Sequence, residues 1–335
     1  MRAKPYHAPF WLPGGHLQTL YPFFFSLLKQ PPYRRERWEL DDGDFIDLDW
    51  LDSAHTSPIV VLFHGLEGHS RGHYARSLMA KLQTLGWRGV TPHFRGCSGT
   101  PNRLPRAYHA GDVAEIDMIV RRLKTEHPDT PLYAVGVSLG GNALLKWLGE
   151  QGSGANSVIE KAVAVSAPVD LVAAGRALDK GFNRLYVQHF LSTLKPKALQ
   201  KLDRFPALFD RHLLRKACTL YKFDDLVTAP LHGYKNVDDY WTKASSKPGL
   251  KNIRVPTLLI NARNDPFLPA TALPFPDQVA SCVTLEFPQE GGHVGFLSGT
   301  FPGNLNWLPA RIGDFLDVPH NRRIIHSACD PHAIQ

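Results

Sequence analysis

The amino-acid sequence predicts an α/β fold, in which helices cover a mostly parallel, doubly wound sheet and one helical insertion interrupts the pattern. Short apolar runs recur along the chain: Ile59–Phe63, Gly89–Phe94, Leu132–Val137, Ala162–Ser166, Thr257–Asn261 and Val283–Phe287. Such nearly continuous runs are typical of parallel strands that are buried on both faces. Helix-like stretches lie between them, namely Tyr74–Leu85, Ala110–Glu126 and Gly141–Glu150, and the alternation indicates βαβ units.

Two earlier runs, Arg35–Leu40 and Phe45–Trp50, predict an antiparallel edge, because the segment Asp41–Asp44 between them has the composition of a hairpin turn. From residue 168 to 251, helical patterns such as Leu171–Leu178 and Arg184–Leu194 follow one another without a convincing strand. We therefore predict a core that spans residues 1–167, with an N-terminal aromatic segment, and resumes at 252–318. Residues 168–251 are predicted to form a helical cap insertion, and residues 319–335 a loosely held tail.

Composition and charge disfavour several classes of function. The net charge is +7, but the basic residues form only short runs, so nucleic acid is not expected as a partner. Four scattered cysteines show no metal-ligand spacing, which predicts neither a disulfide framework nor a zinc site and favours a reducing cytoplasm; they are Cys97, Cys218, Cys282 and Cys329. No metal ion or other cofactor is expected. No apolar run approaches the roughly 18 residues of a membrane-spanning helix.

The strand Leu132–Val137 runs directly into the sequence Gly136-Val137-Ser138-Leu139-Gly140. A GxSxG sequence between a strand and a helix is a nucleophile elbow, a sharp turn that exposes the serine hydroxyl. The helix that follows directs its unpaired N–H groups at the same point. Ser138 is therefore the predicted nucleophile. Ser98, in a second glycine loop, is a weaker alternative because no helix opens directly behind it.

A serine nucleophile of this kind needs an orienting carboxylate and a base, which follow it in that order along the chain. Asp265 lies just after the strand Thr257–Asn261, and His293 lies in a glycine-flanked loop after Val283–Phe287. Because neighbouring parallel strands end at the same edge of a sheet, both loops should converge on Ser138. Asp265 is the predicted acid and His293 the predicted base.

Acyl transfer also requires an oxyanion hole, which is a pair of N–H groups that stabilise the negative charge of the tetrahedral intermediate. One donor is expected directly after the nucleophile and the other in the loop after an earlier strand. The strand Ile59–Phe63 is followed by His64-Gly65-Leu66-Glu67-Gly68. The predicted donors are therefore the backbone N–H groups of Leu66 and Leu139.

Nearly the whole chain resembles the AB hydrolase 4 family of the α/β-hydrolase superfamily, which contains YheT-like bacterial hydrolases and a eukaryotic group of membrane-anchored esterases and lipases. Beyond the motifs above, the resemblance rests on Pro9-Phe10-Trp11-Leu12-Pro13, Gly15-His16-Leu17-Gln18-Thr19-Leu20, Asp238-Asp239-Tyr240-Trp241 and Asn261-Ala262-Arg263-Asn264-Asp265-Pro266-Phe267. It implies the α/β-hydrolase fold and carboxylic-ester hydrolysis, with Ser138, Asp265 and His293 as charge-relay residues. Unlike the eukaryotic relatives, this chain is expected to lack a membrane-spanning N-terminus.

The leading hypothesis is a serine carboxylic-ester hydrolase that acts on short- to medium-chain or lipid-like esters through an acyl-enzyme on Ser138. An acyltransferase that passes the same acyl group to an alcohol is the nearest alternative. A non-catalytic binding protein on the same fold is a third, because fold does not imply function. The oligomeric state is left open.

The aromatic run Tyr21–Phe25 has two interpretations. Packing against the hydrolase body, or lining its pocket, is favoured over peripheral membrane contact, because the run is short and lacks the periodicity of an interfacial helix. Apolar residues of the insertion, among them Leu185 and Leu191, are expected either to pack on the core or to line an acyl-binding tunnel.

Overall fold

The computed structural model describes residues 5–26 and 28–317, which contain one eight-stranded sheet. Its strands are β1 (Arg34–Glu39), β2 (Phe45–Leu51), β3 (Ile59–Phe63), β4 (Arg88–Pro92), β5 (Leu132–Val137), β6 (Lys161–Val165), β7 (Thr257–Ile260) and β8 (Val283–Glu286). They are arranged in the order β1-β2-β4-β3-β5-β6-β7-β8. The β1–β2 and β2–β4 pairs are antiparallel, and all other neighbouring pairs are parallel. The predicted fold class and the antiparallel hairpin are therefore confirmed.

Helices flank the sheet and fill the connection between β6 and β7. They are α1 (Gly15–Phe25), α2 (His73–Leu85), α3 (Val113–Glu126), α4 (Leu139–Gln151), α5 (Leu171–Leu178), α6 (Arg184–Arg204), α7 (Arg211–Lys216), α8 (Leu220–Phe223), α9 (Ala229–Leu231), α10 (Val237–Ala244) and α11 (Trp307–Asp317). A short π-helical stretch at Asp224–Thr228 joins α8 to α9. Helices α5 to α10 therefore occupy most of the segment predicted as an insertion.

The two faces of the sheet carry separate apolar cores, because side chains alternate along each strand. In β3, Val60 and Leu62 pack with buried residues of α2 and α11. Their neighbours Val61 and Phe63 point to the opposite face and pack with buried residues of α3 and α4. All five residues of β3 are buried. Burial on both faces explains the uninterrupted apolar run in the sequence.

Helix α6 is longer than predicted, and the difference begins at a proline. The predicted segment ended at Leu194, whereas α6 continues through Pro196 to Arg204. Buried side chains recur on both sides of Pro196; they are Val187, Leu191, Ala198 and Leu202. Packing along this face therefore offsets the backbone hydrogen bond that the proline removes.

The aromatic run near the N-terminus lies on α1, a helix that the sequence analysis did not predict. Pro22 is buried within α1, and the ring of Tyr21 contacts that of Trp11 at a centroid distance of 5.1 Å. The side chains of Phe23–Phe25 are exposed. The expectation that the run packs against the hydrolase body is therefore wrong for these three phenylalanines.

Helix α11 lies within residues 252–318, the predicted second part of the core. The predicted tail of residues 319–335 lies outside the described residues, and the domain boundaries stay a prediction. None of the helices within residues 5–26 and 28–317 combines the length and the apolar composition needed to cross a bilayer.

Candidate active site

Ser138 is the single residue between the end of β5 and the start of α4. Its backbone has a positive φ of 53°, with ψ −123°. A non-glycine residue pays roughly 1–3 kcal/mol for such a conformation, so the surroundings must hold it in place. The N–H of Ser138 donates to the carbonyl of Val165 at 2.9 Å. This bond ties the turn to the neighbouring strand β6.

Gly140, in the first turn of α4, allows the turn to close against strand β3. A Cβ atom added to Gly140 would lie 2.5 Å from the carbonyl oxygens of both Phe63 and His64. These are backbone atoms of the strand end and cannot move aside cheaply. The second glycine of the GxSxG sequence is therefore required by packing and not only by the turn itself.

The structure brings the three predicted residues together at the edge of the sheet. His293 Nε2 lies 2.9 Å from Ser138 Oγ. His293 Nδ1 lies 2.9 Å and 3.1 Å from the two carboxylate oxygens of Asp265. Asp265 Oδ1 also accepts the N–H of Phe267 at 2.8 Å, and both members of the Asp265–His293 pair are buried.

This set of contacts selects one tautomer of His293. The carboxylate of Asp265 accepts hydrogen bonds, so the imidazole proton belongs on Nδ1. Nε2 is then free to accept the hydroxyl proton of Ser138. The ring is further fixed by Phe267, which stacks on it at a centroid distance of 4.0 Å. The imidazole of His293 can therefore accept a proton from Ser138 without a change in the orientation of its ring.

Helix α1 supports the loop that carries His293, and the sequence analysis did not identify this role. The hydroxyl of Thr19 accepts the N–H of His293 at 2.8 Å. The side-chain oxygen of Gln18 accepts the N–H of Gly291 at 2.8 Å and an amide hydrogen of Asn264 at 2.9 Å. Gln18 therefore joins the loop of the predicted base to the loop of the predicted acid.

The backbone of α1 and the base loop are also in direct contact. A Cβ atom on Gly295 would overlap the carbonyl oxygen of Gln18. Both Gln18 and Thr19 belong to the segment Gly15–Leu20, which contributed to the family resemblance. That resemblance was the one signal in the sequence, and it gave no role for either residue.

The loop with the predicted oxyanion donor Leu66 is pinned on both sides of that residue. The N–H of Gly65 donates to the hydroxyl of Tyr74 at 3.1 Å. The N–H of Glu67 donates to the hydroxyl of Tyr108 at 2.7 Å, and Tyr108 donates to Glu67 Oε1 at 3.0 Å. Burial raises the pKa of Tyr74 to about 12 and that of Tyr108 well above its usual value, so both stay neutral.

His64 and Lys197 complete the support of this loop. Burial lowers the pKa of His64 to about 3, so its ring is neutral and donates from Nδ1 to the Gly65 carbonyl at 2.8 Å. Its Nε2 accepts the N–H of Phe94 at 3.1 Å. Lys197, on α6, forms an ion pair with Glu67 Oε2 at 2.8 Å. This ion pair holds α6, a helix of the predicted insertion, next to the loop that contains the predicted oxyanion donor Leu66.

Helix α6 also lies beside the loop that carries Asp265. The rings of Tyr186 and Phe190 contact the ring of Phe267 at centroid distances of 4.8 Å and 6.0 Å. Asn183, just before the helix, donates to the carbonyl of Pro266 at 2.7 Å. The aromatic side of α6 thus reaches the residue that stacks on the histidine.

The alternative nucleophile Ser98 has different surroundings. Its side-chain oxygen accepts the N–H of Thr100 at 3.4 Å, and its hydroxyl lies next to the carboxylate of Asp47. The contact with His293 is made by Ser138. Within the described ranges, no group of three or more His, Cys, Asp or Glu side chains is placed to hold a metal ion.

Comparisons with known proteins agree on one class of protein. The family described as alpha/beta hydrolase fold matches residues 58–300. The YheT protein of Escherichia coli (strain K12), whose name designates it a candidate esterase, is 41% identical over 307 residues, which are 90% of this chain and 89% of that protein. Phospholipase ABHD3 of Homo sapiens is 31% identical over 325 residues, which are 94% of this chain and 79% of that protein.

Solved structures show the same fold at lower sequence identity. The esterase Pf2001 of Pyrococcus furiosus superposes with a TM-score of 0.55 and 20% identity, and the match covers 94% of this chain and 97% of that one. At this identity the likeness concerns the fold alone.

Proposed function

Because this chain belongs to the α/β-hydrolase family and is a YheT-like member of it, we propose that it is a serine hydrolase of carboxylic esters that forms an acyl-enzyme on Ser138. The observation that carries the proposal is the chain of hydrogen bonds from Ser138 Oγ through His293 to Asp265. The nucleophile in that chain stands on a strained turn at the start of a helix. The three residues thus satisfy the geometry that a nucleophile, its base and the orienting acid require.

In the proposed reaction, Ser138 Oγ attacks the carbonyl carbon of the ester while His293 Nε2 accepts the hydroxyl proton. His293 then gives this proton to the departing alcohol, which leaves the acyl group on Ser138. A water molecule, deprotonated by the same nitrogen, attacks the acyl-enzyme, and His293 returns the proton to Ser138 Oγ as the carboxylic acid leaves. Asp265 keeps the Nδ1 proton in place and stabilises the imidazolium that forms in both steps.

We propose that the backbone N–H groups of Leu66 and Leu139 bind the oxyanion of both tetrahedral intermediates. Leu139 is the first residue of α4, so its N–H has no partner within the helix. Leu66 lies between two residues whose N–H groups are held by the hydroxyls of Tyr74 and Tyr108. A donor fixed in advance is effective because no reorganisation is needed as charge develops; removal of one such donor costs about 10²–10³ in kcat.

The proposed substrates are esters with a short- to medium-chain or lipid-like acyl group. Support comes from the aromatic surroundings of His293, where Phe267 stacks on the ring and Phe190 of α6 contacts Phe267. We propose that residues 168–251 form a cap and that α6 borders the acyl group. The similarity to a protein named as a phospholipase supports the same substrate class.

The test uses a fluorophosphonate probe and a short p-nitrophenyl ester. We expect the probe to label the wild-type protein and Ser98→Ala, and not Ser138→Ala, which should lose ester hydrolysis by about 10⁴-fold or more. Full hydrolysis by Ser138→Ala would overturn the proposal. Product analysis with an added alcohol distinguishes hydrolysis from acyl transfer. A hydrolase would yield mainly the free acid, whereas an acyltransferase would yield mainly the new ester.

A further inference from the structure

Exposed apolar side chains lie together on α1 and at the start of α6. Phe23, Phe24 and Phe25 are 53%, 66% and 62% exposed, and Phe182 and Leu185 are 50% and 54% exposed. We call these five residues the aromatic patch. Their exposed area is on the order of 500 Å², which is as large as the largest apolar patch of a typical monomer. Apolar patches of this size are often functional.

Ring contacts connect the two parts of the aromatic patch. Phe23 contacts Phe24 at a centroid distance of 5.0 Å and the ring of His189 on α6 at 5.6 Å. His16, on α1, contacts Phe182 at 4.6 Å. Through His16 and His189, α1 therefore lies directly beside the residues around the start of α6, and the two parts of the aromatic patch are neighbours.

The two chain segments that form the aromatic patch carry charges of one sign. From Pro5 to Arg35, and again from Lys180 to Leu202, the sequence contains Lys and Arg but no Asp or Glu. Lys29, Lys180 and Arg184 are exposed in these two segments. An apolar surface formed by two segments that contain cations and no carboxylates complements a surface that combines acyl chains with anionic headgroups. It disfavours a second copy of this chain, whose aromatic patch would bring the same cations.

We propose that the aromatic patch docks this protein on the surface of an anionic lipid bilayer, with the phenylalanine rings among the acyl chains and the cations at the headgroups. The docking requires no chemistry at Ser138. Its use, which is to present lipid esters to the active site, rests on the proposed function. The placement suits that use, because the opposite side of α1 holds the loop of His293 through Thr19.

The first test is co-flotation of the full chain with vesicles of phosphatidylcholine that contain or lack phosphatidylglycerol. We expect binding to the anionic vesicles, at least about tenfold weaker binding by Phe24→Glu/Phe25→Glu, and roughly fivefold weaker binding for each cation removed in Lys180→Gln and Arg184→Gln. The matched control is Phe275→Glu, because Phe275 is 60% exposed outside the aromatic patch and its variant should bind like the wild type. Hydrolysis of a soluble p-nitrophenyl ester should be unchanged in Phe24→Glu/Phe25→Glu.

Several outcomes would overturn the docking proposal. These are no flotation of the wild type, equal flotation of Phe24→Glu/Phe25→Glu, or equal binding to neutral and anionic vesicles. A wild-type dimer in sedimentation that Phe24→Glu/Phe25→Glu converts to a monomer would assign the aromatic patch to self-association instead. Ser138→Ala separates the two proposals, since it should float like the wild type even though it hydrolyses nothing.

Discussion

The turn of the proposed nucleophile and the loop of the proposed base meet at one hydrogen bond, but they are held in place differently. Ser138 is fixed by backbone close to it in the sheet, through its bond to Val165 and the packing of Gly140 on β3. His293 depends on the side chain of Thr19, which lies 274 residues earlier in the chain. The strained turn therefore carries its own glycines in sequence and rests on neighbouring strands, whereas the loop of the proposed base also depends on one side chain from the other end of the chain.

The largest loss of activity is expected at Gly140, because its packing on β3 holds the turn of Ser138. Gly140→Ala places a Cβ atom against two backbone carbonyls, so the turn should not close and hydrolysis should fall by more than about 10⁴-fold, with a loss of about 1–3 kcal/mol in stability. Gly154→Ala is the control, because its Cβ would meet only the flexible side chain of Gln151 at 3.7 Å. Near-normal fluorophosphonate labelling of Gly140→Ala would contradict the proposed strain.

The next effect concerns the acid. Asp265→Asn keeps the size of the side chain but offers an N–H where His293 Nδ1–H needs an acceptor, so kcat should fall by about 10⁴-fold. Circular dichroism should show an unchanged fold. Asp277→Asn, at an exposed carboxylate, serves as the control and should retain full activity. If Asp265→Asn kept most of its activity, another carboxylate would have to orient the histidine.

A smaller effect is expected from the distant support of the base loop. Thr19→Val has nearly the same shape but removes the oxygen that accepts the N–H of His293, so kcat/KM should fall by about 10²-fold through misplacement of the ring. Thr19→Ser keeps the oxygen and should restore most of the rate. Equal rates for Thr19→Val and Thr19→Ser would show that the loop holds its position without α1.

The smallest effect is expected at the ion pair between α6 and the oxyanion loop. Lys197→Met leaves the Glu67 carboxylate with Tyr108 and the thiol of Cys97 as partners, so kcat should fall by no more than about fivefold while KM is retained. Arg211→Met removes an exposed ion pair with Asp203 and is the matched control. A change in KM alone would assign Lys197 to substrate binding instead of loop support.

The fold was readable because buried parallel strands leave unbroken apolar runs, as in β3, and because Asp41–Asp44 marks the hairpin. The nucleophile turn was equally visible, since its glycines must surround Ser138 in sequence. Helix α1 was not predicted, because Pro22 and the glycines before it resemble helix breakers, whereas the burial of Pro22 and the contacts of Gln18 and Thr19 with the base loop are properties of the folded chain. The end of α6 was misplaced for the same reason at Pro196.

Within the candidate site, the positions of Asp265 and His293 followed from strand ends, and the structure places both beside Ser138. Their catalytic roles stay a prediction. The contacts of Gln18, Thr19 and Tyr108 could not be predicted, because each joins segments far apart in the chain through a single side-chain oxygen. Such contacts leave no periodic trace in a sequence.

Helix α1 contacts the base loop through Gln18 and Thr19 and turns Phe24 and Phe25 towards solvent. One rigid element thus borders both the reaction centre and the aromatic patch, and thermodynamic linkage makes any communication through it reciprocal. If a lipid surface shifts α1 towards the position that holds His293 in line and thereby raises the affinity for a reversible inhibitor at Ser138, that inhibitor must raise the affinity for the surface by the same factor. Tighter binding of that inhibitor at a lipid surface and tighter binding of the inhibited protein to the surface would then be two measurements of a single coupling free energy.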